Sequence, residues 1–389
     1  MALPISYNVR NVRVRWQVTL LAVSGIALVV AVFTVLMSMS EGFALTLRST
    51  GREDNAIIVQ RGSASELTSG VPLDQRNLIV VDDRVARGAD GQPLATGEWV
   101  IVLALPKAGS GQPTNVTLRA VPPKTFAVRG GIKIVEGRMF QSGLDEVIVG
   151  RKLLSRIQGL RLGGTVKYQR KEFQIVGLFD SEGGAFESEI WGDFDVFGAV
   201  FQRGSGSNSV VVRMKNAADI PAFDRWIKSQ PQMQLTAMSE RKYYADQAGT
   251  LAGILRGLAT FVAFIMGIGA VFGAMNTMYA VVSARTREIG TLRALGFSRG
   301  SILFSFVVES VFLAVIAGAI GCLLAFPMNG FSSGTGQTQS FSEIAFNFRI
   351  TPAIIFVSMG FALVMGILGG LLPAFRGSRL PITTALRQS

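Results

Sequence analysis

The sequence predicts a membrane protein with four transmembrane α-helices and a large extracytoplasmic α+β domain between helices 1 and 2. Three observations lead there. Four long stretches are nearly free of charge: 25 residues between Arg15 and Glu41, 28 between Arg256 and Arg285, Gly300 to Ser342 with Glu309 as the one charge, and 26 between Arg349 and Arg376. Arginines crowd the flanks that must share one side of a membrane. The long segment between the first two stretches has nearly balanced charge and strand-type patterning.

A helix rises about 1.5 Å per residue and needs roughly 20 apolar residues to cross the hydrocarbon layer. Each stretch is long enough. The composition agrees: 389 residues, 49% hydrophobic and only 16% charged, with mean hydropathy +0.40, more apolar than a soluble domain.

The net charge of +12 would suit a nucleic-acid binder, but its distribution does not. Arg10, Arg13 and Arg15, the group Arg285, Arg287, Arg293 and Arg299, and the tail residues Arg376, Arg379 and Arg387 all lie beside spans, with Glu288 as the acid among them. Segment 42–250 holds 26 basic and 22 acidic residues. This asymmetry follows the positive-inside rule. It places both termini and the 285–299 loop in the cytoplasm, and 42–250 and 329–350 outside. No basic-aromatic patch supports a nucleic-acid partner.

In chain order, residues 1–15 carry Ile5, Val9 and Val12 at helical spacing, with Trp16 continuing the stripe and Arg10 and Arg13 off it. This suits an amphipathic helix on the inner leaflet. Residues 16–41 are the first span. The apolar run is too long for a signal-peptide core, and Met37-Ser38-Met39-Ser40 is a poor cleavage site, so a retained span is expected.

Residues 42–250 are enough for a core of their own. Ala56 to Val59, Trp99 to Leu105, Val116 to Leu118 and Val210 to Val212 read as strands bounded by turn residues. Val166 and Tyr168, then Phe173 and Ile175, alternate around Arg170-Lys171 as a hairpin. Helices are expected over Arg151 to Gln158 and Ala217 to Lys228. Two lobes are expected, with a break near Gly130-Gly131 and a return near 204–207. The acid-rich run Asp180 to Asp195 reads as a solvated loop with a few packed aromatics, or as a contact for an adaptor or substrate.

The second span, 252–284, has Gly253 and Gly257 four apart, and Gly269 and Gly273 likewise. Small residues at that spacing let helix backbones approach closely, within the chain or in a self-dimer. The third span covers 300–328, an exposed polar loop 329–350 and the fourth span 351–375, before a cytoplasmic tail, 376–389. Arg256 and Arg349 read as snorkelling anchors near the outer interface, with an outer acid as an alternative partner for Arg349.

There is no histidine, which excludes a Ser-His-Asp triad and imidazole metal sites. The lone Cys322 leaves the outer segment without disulfides. No G-x-x-x-x-G-K-[ST] phosphate loop occurs, so this sequence is not itself an ATP-driven motor. No metal, cofactor or catalytic constellation is expected.

The segment 283–300 is richer than a tie between spans requires. Ile289, Leu292 and Leu295 would share one face of a short helix, Arg285, Arg287 and Arg293 would rim it, and Gly296 would end it. A helix with an apolar face and basic rim suits docking into a partner's groove, or resting on anionic lipid. Glu309, inside the third span, would cost a few kcal/mol unpaired. It reads as a proton relay or a switch partner, or as a carboxyl hydrogen-bonded to a neighbouring helix. With no histidine and no second intramembrane acid, the structural reading is preferred.

Arg285 to Ser298 resembles the coupling region of permeases in the MacB/FtsX-type ABC transporter family, where a run like ERTREIGTLRALGFS follows the second span. Gly25-Ile26-Ala27, Phe306 to Ser310, Pro373-Ala374 with Arg379, Pro381 and Ala385-Leu386-Arg387, and Glu146 to Gly150 with Gly163-Gly164 and Phe173 to Gly177 are similar to other family patterns. The resemblance implies a permease subunit working with a separate dimeric ATPase, which would hold the ATP and Mg; this chain would bind no cofactor. It implies a second permease, as homodimer or heterodimer, and in some members a periplasmic adaptor and outer-membrane channel. It implies a bacterial inner-membrane location and Arg285, Arg287, Glu288, Ile289, Leu292, Arg293, Leu295 and Gly296 as the ATPase-coupling residues. The alternative is a mechanotransmitting protein that controls a periplasmic partner, such as a cell-wall hydrolase, without moving cargo.

Overall fold

The computed structural model describes Trp16–Gly336, Ser342–Arg379 and Pro381. The amphipathic segment 1–15 and the motif Ala385-Leu386-Arg387 lie outside the described residues. The chain divides into two compact units: a helical unit of 1–42, 253–331 and 348–389, and a strand-rich unit of 43–252 and 332–347.

Among the described residues four helices are long and apolar enough to cross a membrane: α1 (Trp16–Arg48), α6 (Glu240–Ala284), α8 (Arg299–Ala325) and α9 (Pro352–Ser378). Their apolar side chains point outward as well as inward, as lipid-facing helices require; Phe264, Phe272, Leu323 and Phe356 are all more than 60% exposed. The inward positions are small or β-branched. Ile26, Ala27 and Val30 of α1 meet Ala274 of α6, Ala317 of α8 and Ala362 of α9 in one cluster. Thr34 Oγ1 bonds back to the Val30 carbonyl (2.7 Å) and across to Ser358 Oγ (2.9 Å), so two buried hydroxyls satisfy each other.

Among the described residues the strand-rich unit is built on a ten-stranded sheet in the order β10 (Leu235–Ser239), β1 (Asn55–Gln60), β9 (Ser209–Arg213), β2 (Ala95–Pro106), β3 (Pro113–Val121), β8 (Glu189–Asp193), β5 (Glu146–Gly150), β7 (Lys171–Asp180) and β4 (Lys133–Gly137), with β6 (Thr165–Tyr168) paired to β7. β3–β8 and β5–β7 are parallel, and the other pairs antiparallel. The hairpin expected around Arg170-Lys171 is present, turning on Gln169 at φ 52°. Two hydrophobic cores share this sheet. β2 (Ala95–Pro106) is twelve residues long; Ala95–Glu98 pair with β9 (Ser209–Arg213), and Trp99–Pro106 with β3 (Pro113–Val121). One core gathers around Ile58, Val210, Phe223 and Leu235, the other around Leu118, Val149, Phe173 and Phe197. The break therefore falls at Glu98–Trp99 rather than Gly130-Gly131, because a single strand changes partners there.

Three further expectations are corrected. Arg151 to Gln158 is not a helix but a 3-10 turn, Arg151–Leu153, followed by turns. The run Asp180 to Asp195 is not a solvated loop. Its residues 184–193 are buried, and Glu189–Asp193 form β8 in the sheet interior. The segment 329–350 is not simply an exposed loop. Ser332–Gly336 (β11) and Glu343–Asn347 (β12) pair as a hairpin within the strand-rich unit. There Glu343 is bonded by Arg156 and by Thr114 Oγ1 (2.6 Å), and Phe346 meets Phe43 edge-on at 5.7 Å. The alternation in Glu343-Ile344-Ala345-Phe346 was short enough to pass for a loop.

Candidate functional site: a short helix between the second and third spans

Helix α6 ends at Ala284, Arg285 turns the chain, and α7 runs over Thr286–Ala294. Its end is a Schellman motif. Phe297 N–H bonds the Leu292 carbonyl (3.1 Å) and Gly296 N–H the Arg293 carbonyl (3.2 Å), with Gly296 at φ +95°. A residue with a Cβ would be strained in that left-handed conformation, so glycine is required here. Ser298 then caps α8 by accepting from Ser301 N–H.

The faces of α7 differ from the expected ones. Ile289 is 2% exposed and packs with Met278, Val282, Ile302 and Phe306, Leu292 is half-buried, and Leu295 is 73% exposed. Steps of three residues rotate by about 300°, so the three positions spiral across the helix instead of lining one face. The outward stripe is Arg287, Thr291, Ala294 and Leu295, at spacing i, i+4, i+7, i+8.

The basic rim is also rearranged. Arg285 is buried. Its Nε bonds Glu288 Oε2 (2.8 Å), its Nη1 bonds Glu309 Oε2 (2.9 Å), and its guanidinium lies 5.0 Å from the Phe306 ring centre. Glu309 therefore has a cationic partner, which the sequence reading did not supply. Arg293 donates from Nη1 to the Ser378 carbonyl (2.9 Å), where a cation offsets the negative end of helix α9. Arg287 and Arg299 remain exposed.

The glycines of α6 also land differently. A Cβ built on Gly253, Gly257, Gly269 or Gly273 meets nothing within 4 Å. They face out of the chain, not into its own helix contacts. The close approaches lie elsewhere: a Cβ on Gly321 would meet the Ala27 carbonyl oxygen at 2.6 Å, and one on Gly318 would meet Met359 Sδ at 2.8 Å. Arg256 is paired rather than only snorkelling, with Nη2 2.8 Å from Glu41 Oε2, whereas the Arg349 side chain is exposed.

The sequence reading missed a buried ionic cluster in the strand-rich unit, formed by Arg119 and Arg129 with Glu66, Glu98, Glu189 and Glu240. The available signal was a charge inside an apolar strand, as in Val116-Thr117-Leu118-Arg119-Ala120-Val121. Burial works against Glu66 ionisation, but the charge and hydrogen bonds of Arg119 outweigh it and hold its pKa down at about 2. Burial likewise opposes the charge of Arg119, but Glu189 and Glu66 raise its pKa well above the ordinary value. Among the described residues no group of histidine, cysteine or acidic side chains is arranged to hold a metal ion.

Residues 19–230 match the family model of the MacB-like periplasmic core domain, and 260–382 that of the FtsX-like permease C-terminal region. The macrolide export ATP-binding/permease protein MacB of Neisseria gonorrhoeae is 23% identical over 321 residues, covering 77% of this chain and 49% of that protein. An uncharacterized ABC transporter permease of Methanocaldococcus jannaschii is 27% identical over 278 residues, covering 68% of this chain and 69% of its own length. The crystal structure of the periplasmic region of MacB from Actinobacillus actinomycetemcomitans aligns with 50% of this chain and 92% of its own at 12% identity, with a TM-score of 0.36. The chain spans about half the length of the MacB relatives it matches.

Proposed function

From the premise that this chain belongs to the ABC transporter permease family of FtsX-like proteins with a MacB-like periplasmic core domain, we propose that it couples an ATPase in the cytoplasm to movement of its strand-rich unit outside. The observation that carries this reading is α7. It is short and firmly seated by Ile289, Arg285 and Arg293, yet presents Arg287, Thr291, Ala294 and Leu295 outward. A rigid knob with a mixed basic and apolar face suits a groove on another protein.

The arginine distribution supports a cytoplasmic position for α7 and both termini. The ATPase would carry ATP, Mg and the chemistry, and this chain would carry force. Helix α6, 45 residues without interruption, supports such a role, since a helix of that length spans about 1.5 Å per residue. The outward glycines Gly253, Gly257, Gly269 and Gly273 support a second permease copy packed on α6. The cargo would be a substrate at or outside the membrane, exported or extracted.

The test is a pair of surface substitutions, Arg287→Glu with Leu295→Asp, in the membrane complex. Loss of the co-purifying ATPase, with membrane insertion and thermal stability kept, supports the reading. Undiminished ATPase recovery and transport overturn it.

A further inference from the structure

Helix α6 begins inside the buried ionic cluster. Glu240 is its first residue and is 0% exposed. One carboxylate oxygen takes a bond from Arg129; the other accepts from Asn55 Nδ2 (2.7 Å) and the Arg52 N–H (3.2 Å). Arg129 ends helix α3 (Thr125–Arg129) and also grips Glu98 through Nε and Nη2, at 2.9 and 2.7 Å. Glu98 stands where β2 changes partners between the two cores.

From Glu98 the chain of bonds continues to Arg119 on β3, whose five N–H donors are all used: two on Glu66, one on Glu98 and two on Glu189. The first turns of α6 enter again. Tyr244 donates to Glu66 Oε2 at 3.1 Å, and the Tyr243 hydroxyl accepts from Glu66 N–H at 2.8 Å. The Phe186 ring lies 4.6 Å from the Arg129 guanidinium.

Charges so deeply buried are costly unless geometry satisfies them, and apolar residues would hold a passive core as well. Here the satisfied geometry converges on one helix start. We propose that Arg129 and Glu240 form the joint by which α6 moves the strand-rich unit, with Glu98 and Arg119 spreading the load into both cores. This role in movement rests on the coupling function proposed above; the joint itself is a property of the unit.

The experiment is hydrogen exchange on the full chain in detergent, comparing wild type with Glu240→Gln and Arg129→Met. Exchange across 241–247 should quicken by about ten-fold or more while β5 and β7 stay protected. Unchanged protection at 241–247 in both variants overturns the joint. Should Arg129→Met fail to fold, the isosteric Glu240→Gln decides alone. A second arm adds the ATPase and a non-hydrolysable ATP analogue. Glu240→Gln should abolish the nucleotide-dependent change in exchange over 95–121. Phe223→Leu, which thins the core away from the cluster, should retain that change at equal loss of stability. Equal behaviour of the two variants overturns the positioning role. A wild type without any nucleotide response counts against the coupling function, leaving the first arm to judge the joint.

Discussion

Arg285 and Glu309 form a buried ion pair, 2.9 Å from Nη1 to Oε2, that joins the turn before α7 to the interior of α8. It explains how an acid is tolerated in the third span, and why the first arginine of the basic loop is not on its surface. Removing one partner of such a pair strands the other, at about 3–5 kcal/mol. Arg285→Ala should therefore lower the melting temperature in detergent markedly, and Glu309→Gln less. The double variant Arg285→Met with Glu309→Leu should recover much of the loss. A double variant as unstable as Arg285→Ala would show that the pair is not the source.

The depressed pKa of Glu66 gives a pH dependence with a definite sign. Its folded-state value of about 2 lies below the usual 4.5, so the unfolded chain binds more protons between the two. The stabilisation is present above about pH 4.5 and is lost as pH falls toward 2; it amounts to roughly 3 kcal/mol. Thermal unfolding of the full chain followed by tryptophan fluorescence should show this slope, and Glu66→Gln should flatten it. An unchanged slope in the variant would assign the effect to other carboxylates.

Two sets of glycines should respond oppositely to bulk. Gly321→Leu drives a side chain into the Ala27 carbonyl and Val30, and overpacking of this kind costs about 1–3 kcal/mol. Gly269→Leu with Gly273→Leu meets open space in the chain, so folding should persist while self-association is lost. Crosslinking in membranes checks the second outcome, and a dimer that survives would remove α6 from the interface.

Gly296→Val should fray α7. The left-handed φ of +95° costs a β-branched residue about 1–2 kcal/mol. Faster exchange over 287–294 and weaker ATPase recovery are expected together. Faster exchange with full recovery would mean that docking does not need a rigid helix.

Arg156 holds Glu343 at the edge of the strand-rich unit, both side chains about one-tenth exposed. Arg156→Ala should loosen β12, raising exchange at 343–347 while Leu118 and its neighbours in the core remain protected. No change at 343–347 would show that Phe346 and its neighbours hold the hairpin unaided.

Long-range composition made the architecture legible. Four long apolar stretches have one structural solution each in a bilayer, because every backbone polar group must be satisfied within the segment. Gly296 was legible as a helix end because few other residues accept that conformation. What the sequence obscured were partnerships. Ile289, Leu292 and Leu295 look like one face until the helix is drawn against α6 and α8. Gly269 and Gly273 have a contact motif, but a Cβ on either would meet nothing within 4 Å among the described residues. Glu343 to Phe346 read as a loop because their partners, Arg156, Ser188 and Phe43, are more than 150 residues away in sequence.

By itself, then, the sequence determined that this chain crosses a membrane four times, that a strand-rich domain stands between the first two crossings, and that a short basic helix joins the second and third. Those follow from hydropathy and local geometry, which act over a few residues. Only the tertiary structure decided that Arg285 neutralises Glu309, that β2 belongs to two cores, and that Glu240 roots α6 among buried arginines. A charge carries no mark of its partner; burial and opposite sign meet only once the chain has brought distant residues within about 3 Å of each other.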